Sequence, residues 1–300
     1  MSQNLRFVIV PKVAHPWFEE VFKGARAEAE SLSQAAGCHI AIEYAPPSVC
    51  DIDEQNQLLH ELCKSEPDGI AVDPVDAIGN LTAIHHIRAQ HIPVVLFDSP
   101  SPDPRITSIG NDFDQQGVLA AERLASLIGY EGKVAIMKGF PTAPNHKARY
   151  EAQWRVLSEH PLIRIVNGGT DNDDIATARR EALAVLEAHP DLNGYLCCDA
   201  SGPIGIAEAV KQSGRIGTVM VVGMDGIAPI VQAIKDGILE SSSATIPTMQ
   251  GAMCTLMLWR ATLGLTLPQR VDTGIDLITR DNVDAFLTDT RAGTTSPSTH

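Results

Sequence analysis

Short apolar segments alternate with amphipathic segments along most of the chain. Runs such as Leu5 to Val10, Ile70 to Val72 and Pro93 to Phe97 are bounded by polar, glycine or proline residues. Between such runs, as over residues 17–29, apolar side chains recur at helical spacing. Short continuous apolar runs predict buried parallel strands, whose sheet is covered on both faces by the intervening helices. The pattern therefore predicts an α/β fold with doubly wound parallel sheets.

A proline-rich segment, Ser99 to Arg105, interrupts this alternation. It contains three prolines in seven residues, a composition that continues neither a helix nor a central strand. The alternation begins again at Ile106 and runs to Val222. Since 300 residues are many for one hydrophobic core, we interpret the segment as a boundary between two lobes. The Thr- and Ser-rich end of the chain is predicted to be disordered.

Three of the predicted strands end in an aspartate. They are Asp98, Asp199 and Asp225, and each follows a short, mostly apolar run. Ligands bind at the carboxyl ends of the strands in open α/β sheets. An aspartate at such a position also caps the helix that follows, which is the structural alternative for any one of the three. The three together favour a shared polar site.

One predicted strand, Glu240 to Ile246, is polar where the other strands are apolar. A strand that crosses between two lobes at a solvated hinge has this composition, and so does a strand at the edge of a sheet. Both interpretations remain open at this stage.

Charge and composition exclude several classes of partner. The net charge of −14 disfavours nucleic acid and anionic membrane surfaces, because both require an excess of Lys and Arg. No apolar run approaches the ~20 residues of a membrane span. Met1 to Asn4 lead directly into a strand, which predicts either a cytosolic chain or one whose leader has been removed. The six cysteines show no zinc-site spacing and do not decide the compartment.

The common catalytic and cofactor motifs do not occur in the sequence. Val10-Pro11-Lys12 stands where a dinucleotide-binding fold has its glycines, and the chain has no phosphate loop or nucleophile elbow. His-Glu-x-x-His and paired-cysteine metal sites are also missing. We therefore expect no cofactor, no metal and no enzyme activity.

Several segments occur in the order typical of one protein family. They are Phe7 to Lys12, His15 to Phe18, Ile92 to Asp98, Ile109 to Asp112, Val221 to Gly226 and Leu277 to Val283. In this order they resemble the type I periplasmic sugar-binding proteins, the ribose-binding-like group that serves ABC importers. The resemblance runs from about Leu5 to Phe286. Effector domains of LacI-type repressors share the fold, but no helix-turn-helix precedes Leu5.

The resemblance implies two doubly wound lobes that are joined by a three-strand hinge and close on one ligand. It places the N-terminal lobe at residues 1–102 and 247–268, the C-terminal lobe at 103–246 and 269–290, and a disordered tail at 291–300. It further implies a monomer in the periplasm, with its signal peptide removed, that binds a small sugar or polyol and delivers it to the membrane permease of an ABC importer.

The resemblance also implies a set of ligand-binding residues. They are Lys12, His15, Trp17, Phe18, Asp98, Ser99, Asn145, Arg149, Tyr150, Asp199, Met224, Asp225 and Thr245. Met224 replaces a stacking Phe of the family, and Thr245 stands where ribose binders have Gln. Whether Arg149 or Tyr150 faces the ligand depends on how the preceding loop is aligned, and both remain candidates.

Three functions remain open from the sequence. Ionised aspartates accept the hydrogen bonds that vicinal hydroxyls donate, which favours a solute-binding protein for a sugar or polyol. A second possibility is a ligand-sensing domain or a receptor for the furanosyl quorum signal, because Lys12, Asp98 and Cys198-Asp199-Ala200 partly resemble that receptor. A third is a sugar-processing enzyme that uses the strand-end aspartates as acid and base.

Overall fold

The computed structural model describes residues 4–291, with side chains to residue 287, and divides them into two compact units. The first unit holds residues 4–112, 142–145 and 246–274, and the second holds the rest.

The strands are β1 Asn4–Val10, β2 His39–Tyr44, β3 Gly69–Val72, β4 Val94–Phe97, β5 Ser108–Gly110, β6 Gly132–Lys138, β7 Ile163–Thr170, β8 Leu192–Leu196, β9 Met220–Met224, β10 Ser241–Ala244, β11 Arg270–Asp272 and β12 Asp276–Thr279. The helices are α1 Pro16–Ala36, α2 Ile52–Lys64, α3 Leu81–Ala89, α4 Phe113–Leu127, α5 Pro144–Ser158, α6 Ile175–Ala188, α7 Ser201–Gln212, α8 Ala228–Lys235, α9 Pro247–Thr262 and α10 Val283–Arg291.

The sheet of the first unit has six strands in the order β11-β5-β4-β3-β1-β2. All of its pairings are parallel. Residues 7–10 of β1 are fully buried, as are all four residues of β3. Both faces of these strands therefore lie in the core, which explains why the runs are continuously apolar.

The sheet of the second unit also has six strands, in the order β12-β10-β9-β8-β6-β7. Its pairings are parallel except for β10 with β12, which is antiparallel. The predicted fold class of two α/β lobes with parallel sheets is confirmed. Among residues 4–291, no helix is long and apolar enough to cross a membrane.

The division of the chain differs from the predicted lobes. β5 and β11 pair with each other in the first sheet, although the prediction placed both in the C-terminal lobe. The first unit consequently runs to Asp112, ten residues beyond the predicted boundary at residue 102, and its last part ends at Gly274. Strands of three residues show too little pattern for their sheet to be predicted. The predicted disordered tail lies outside the described residues, except for Arg291 at the end of α10.

The polar strand β10 is an interior strand and not an edge strand. It pairs with β9 on one side and β12 on the other, and all four of its residues are buried. The Ser242 hydroxyl donates to the Asp225 carbonyl at 2.5 Å, and the Ser243 hydroxyl to the Gln116 carbonyl at 3.4 Å. These buried hydroxyls are acceptable because they are hydrogen-bonded to the main chain.

Helices α1 and α9 cross at two glycines in the first unit. A Cβ on Gly24 would lie 1.9 Å from the Thr248 carbonyl oxygen, and a Cβ on Gly251 would lie 1.8 Å from the Val21 carbonyl oxygen. Real carbon atoms do not approach backbone oxygens so closely. The crossing therefore requires glycine on both helices.

Gly251→Ala is expected to lower the free energy of unfolding by about 1–3 kcal/mol or more, because the helices must separate to admit one methyl group. Chemical denaturation measures the effect. Ala27→Ser, which also adds one heavy atom but at an exposed position of α1, should leave stability nearly unchanged. Equal midpoints for the two variants would contradict the close crossing.

Candidate functional site

Three charged residues lie at adjacent strand ends in the first unit. Lys12, Asp73 and Asp98 come shortly after β1, β3 and β4, which are neighbours in the sheet. Lys12 Nζ lies 3.3 Å from Asp73 Oδ2 and 3.9 Å from Asp98 Oδ2, and each of the three residues is at most 4% exposed. We call these residues the lysine–aspartate cluster. The cluster places one cation and two carboxylates at the edge where ligands bind in such sheets.

The lysine–aspartate cluster contains a residue that the sequence analysis missed. Asp73 follows Val72 just as Asp98 follows Phe97, so the same strand-end pattern was present there. Gln55, also missed, supports the cluster from α2: its amide donates to the Pro11 carbonyl at 3.0 Å and to the Asp73 carbonyl at 2.8 Å. Gln55 thereby fixes the backbone beside both Lys12 and Asp73.

Aromatic residues at the start of α1 lie beside the cluster. Trp17 and Phe18 are buried and make an edge-to-face pair with ring centroids 5.1 Å apart. Lys12 Nζ lies 5.7 Å from the Phe18 ring centroid. His15 caps the helix, because its Nδ1 accepts the Trp17 N–H at 3.1 Å. That these residues contact a ligand stays a prediction.

Asp98 does not cap a helix. The next regular element after it is β5, and its backbone φ of 47° lies in the left-handed region, which is uncommon for a residue other than glycine. The Asn145 amide donates to Asp98 Oδ2 at 2.5 Å, so the structure brings these two candidate residues together. Ser99 is buried next to Asp98. The capping alternative is therefore wrong for Asp98.

Asp225 has the same geometry in the second unit. It follows β9 with a φ of 66°, and the N-cap position of the next helix is Ile227, whose side chain makes no capping hydrogen bond. Asp225 Oδ1 accepts the Thr245 hydroxyl hydrogen and, at 3.4 Å, the Thr245 N–H. Met224 is fully buried before it. Two strand-end aspartates in left-handed backbone are consistent with functional positions, where such strain is commonly found.

Asp199 partly takes the helix-capping role, since its Oδ1 accepts the Gly202 N–H at 2.7 Å in the first turn of α7. The residue is buried at the end of β8. A second buried carboxyl, Asp171 after β7, lies against it and was missed in the sequence. Burial raises the pKa of both carboxyls above the usual range of aspartate.

Arg149 and Tyr150 have different surroundings. Arg149 is 2% exposed and donates from Nε to Gln116 Oε1 at 2.8 Å and from Nη1 to the Cys198 carbonyl at 3.1 Å. Its guanidinium carbon lies 5.0 Å from the Phe113 ring centroid. Arg149 therefore stands beside the strand end that carries Asp199.

Tyr150 instead lines a cavity of about 260 Å³. Its ring centroid lies 4.9 Å from Lys138 Nζ. The cavity is lined by Lys138, Gly139, Phe140, Pro141, His146, Lys147, Tyr150 and Glu151. Within the described part of the chain, no group of three or more His, Cys, Asp or Glu residues could hold a metal ion.

Comparison with known proteins places this arrangement among proteins of one kind. A family model described as a periplasmic binding protein domain matches residues 7–266. The D-allose-binding periplasmic protein of Escherichia coli is 25% identical, over 82% of this chain and 80% of its own length. The ribose import binding protein RbsB of Bacillus subtilis is 26% identical, over 82% of this chain and 77% of its own.

Solved structures agree with the sequence comparisons. AraP, an arabinose-binding protein from Geobacillus stearothermophilus, superposes with a TM-score of 0.77 at 28% identity, covering 94% of this chain and 99% of the other. An ABC transporter solute-binding protein from Burkholderia graminis, in complex with D-arabinose, has the same fold with a TM-score of 0.88, 24% identity and coverage of 94% and 97%.

Proposed function

Because the chain belongs to the periplasmic binding protein family, as its sequence motifs had indicated, we propose that it captures a small sugar or polyol and delivers it to an ABC importer. The observation that carries the proposal is the row of buried carboxyls at strand ends in each sheet. The relatives named for ribose, allose and arabinose support the same solute class. The permease partner, the monomeric state and the periplasmic location are proposed from family membership.

The chemistry of the strand ends suits a neutral, polyhydroxylated solute. Carboxyl oxygens such as those of Asp98 and Asp225 accept hydroxyl hydrogens, while Lys12 supplies donors near Asp98 and Arg149 lies beside the strand end that carries Asp199. A hydrogen bond to a charged group contributes about 1.5–3 kcal/mol, so a solute that lacks one hydroxyl loses most of that contribution. Trp17 adds an apolar surface for C–H groups.

Solute capture without turnover is the proposed activity. Members of the family are solute-binding proteins, and the strand-end carboxyls are held by helix starts, Thr245 and Asn145. A sugar-processing enzyme would convert its solute, which chromatography of the bound material after incubation detects. Recovery of unaltered solute is expected. Closure of the two lobes on the solute stays a prediction.

A thermal-shift screen over pentoses, hexoses and polyols tests the proposal, with isothermal titration of each hit. One member of the panel at a hundredfold excess over its Kd is expected to stabilise the protein by about 2.7 kcal/mol. The furanosyl signal and free amino acids complete the panel. Tight binding of an amino acid without any response to sugars would contradict the solute class, and a response to the furanosyl signal alone would favour the receptor.

A further inference from the structure

Two buried carboxyls meet in the second unit where three strand ends converge. Asp171 follows β7 and Asp199 follows shortly after β8, with β6 between these strands in the sheet. A Cβ on Gly139, the residue after β6, would lie 2.3 Å from Asp199 Oδ2. A Cβ on Gly202 would lie 3.1 Å from Asp199 Oδ1 and 3.2 Å from Asp171 Oδ2. The space in which the carboxyls meet therefore depends on two glycines.

The hydrogen bonds of the pair leave one oxygen of each carboxyl to be satisfied. Asp171 Oδ1 accepts the Asp173 N–H at 3.0 Å, and Asp199 Oδ1 accepts the Gly202 N–H at 2.7 Å. Neither Asp171 Oδ2 nor Asp199 Oδ2 receives an N–H or O–H from any residue between 4 and 287. Both residues are at most 1% exposed, so these oxygens would be costly to leave unpaired. A single proton between the two carboxyls satisfies both oxygens.

The surroundings disfavour two negative charges at this place. Burial is the main cause that raises the pKa of Asp171, followed by the charge of Asp199 and the hydrogen bond to it. Burial also raises the pKa of Asp199, with the charge of Asp173 second. The titratable groups around the pair are Asp173 on the turn after β7, Tyr195, Cys197 and Cys198 on and after β8, Asp225 after β9 and His146 on α5. Two further charged groups act on this shell, Glu181 on Tyr195 and Arg149 on Cys198.

We propose that Asp171 and Asp199 share one proton at neutral pH, and that Asp171 is a positioning residue which holds Asp199 as a hydrogen-bond acceptor for a neutral solute. Asp171 donates the proton and Asp199 accepts it, so the pair carries one negative charge. The inference rests on the proposed function. When the proton is lost to solvent, two facing carboxylates remain. They repel each other, and Asp199 moves away from the position in which it accepts from the solute.

The direction of the pH dependence follows from this proton. The stability that the pair contributes is complete below the ordinary pKa of aspartate, about 3.9, and is lost as the pH rises through the raised pKa of Asp171. The free energy of unfolding is expected to fall from acidic through neutral to alkaline pH, because the unfolded carboxyl has already lost its proton. Solute affinity is expected to fall only as the pH approaches the raised pKa of Asp171, about 11, where the folded protein loses the proton.

Asp171→Asn tests the shared proton without any solute. The asparagine oxygen still accepts the Asp173 N–H, and its amide N–H takes the place of the proton toward Asp199. Denaturation between pH 5 and pH 9 measures the effect. The free energy of unfolding of Asp171→Asn should increase relative to that of the wild type as the pH rises. Asp173→Asn is the matched control, because it removes a neighbouring charge but leaves the contact. It should keep the wild-type decline with pH, displaced toward lower pH, because the negative charge of Asp173 raises the pKa of Asp171. Parallel curves for Asp171→Asn and the wild type would overturn the inference.

The second test measures affinity for the solute identified in the screen. The wild-type Kd should be constant at neutral pH and rise as the pH approaches the raised pKa of Asp171, by at most about tenfold per unit because one proton is lost. Asp171→Asn should bind with a Kd that is independent of pH, whereas Asp171→Ala should bind weakly at every pH. If the Kd of Asp171→Asn rises with pH as steeply as that of the wild type, the positioning role is overturned. If no sugar or polyol binds at all, the proposed function fails, and the stability curves still decide whether the proton is shared.

Discussion

Lys12→Met is expected to lower the free energy of unfolding by about 3–5 kcal/mol, the typical cost of removing one partner of a buried ion pair. The ammonium group lies 3.3 Å from Asp73 Oδ2 and 3.9 Å from Asp98 Oδ2, and all three side chains are almost completely buried. Methionine keeps the length of the side chain and removes its charge. Two carboxylates then face each other in the core of the first unit without this cation. Chemical denaturation at neutral pH measures the loss.

Lys64→Met is the matched control in the same unit. Lys64 Nζ lies 2.6 Å from Glu61 Oε1, which is closer than either contact of Lys12, but both side chains are exposed. An exposed pair contributes about 0–1 kcal/mol, so this variant should unfold almost like the wild type. The double variant Lys12→Met with Asp73→Asn should recover part of the stability. If Lys12→Met and Lys64→Met cost the same, the lysine–aspartate cluster does not depend on its cation.

The apolar pattern predicted the architecture because burial on both faces leaves a strong signal. Residues 7–10 of β1 and all of β3 are apolar and buried, and the apolar runs Leu5 to Val10, Ile70 to Val72 and Pro93 to Phe97 coincide with β1, β3 and β4. β5 and β11 were assigned to the other lobe because three-residue strands acquire their partner through tertiary packing. The polar strand β10 is buried for a reason that the sequence pattern does not show, because Ser242 and Ser243 donate to main-chain carbonyls.

The candidate site was predicted where a strand visibly ends. Asp98, Asp199 and Asp225 follow apolar runs that stop abruptly, whereas Asp171 follows Gly168 and Gly169 in the last part of β7. Glycines carry no side chain that would continue an apolar pattern, so the sequence does not show where β7 ends. Asp171 was therefore not counted among the strand-end aspartates.

Inward-facing polar residues on helices formed the second group that was missed. Gln55 on α2 and Gln116 on α4 are fully buried, and Gln116 donates to the Ser243 carbonyl at 2.8 Å while accepting from Arg149. A glutamine on a helix has the same pattern whether it faces solvent or a loop carbonyl. Their role becomes visible only once the strand ends have been placed in space.

Asp225→Asn is expected to weaken solute binding by about 10- to 100-fold, the equivalent of one charge-assisted hydrogen bond of about 1.5–3 kcal/mol. Asparagine is the right replacement because the backbone φ is 66°, a conformation that asparagine tolerates and alanine does not. Its amide oxygen still accepts from Thr245, so the fold and the thermal midpoint should hardly change. What is lost is the negative charge and one acceptor for a hydroxyl.

Titration calorimetry with the solute from the screen measures the effect, and Asp236→Asn provides the control. Asp236 lies in the same unit at the exposed end of α8, where it accepts from Gln232 at 2.8 Å, and its variant should bind like the wild type. If Asp225→Asn also binds like the wild type, the carboxylate serves only to hold Thr245, and the solute contacts lie elsewhere along the strand ends. A drop in affinity at unchanged stability, by contrast, places Asp225 in contact with the solute, because a purely structural carboxylate would lower both together.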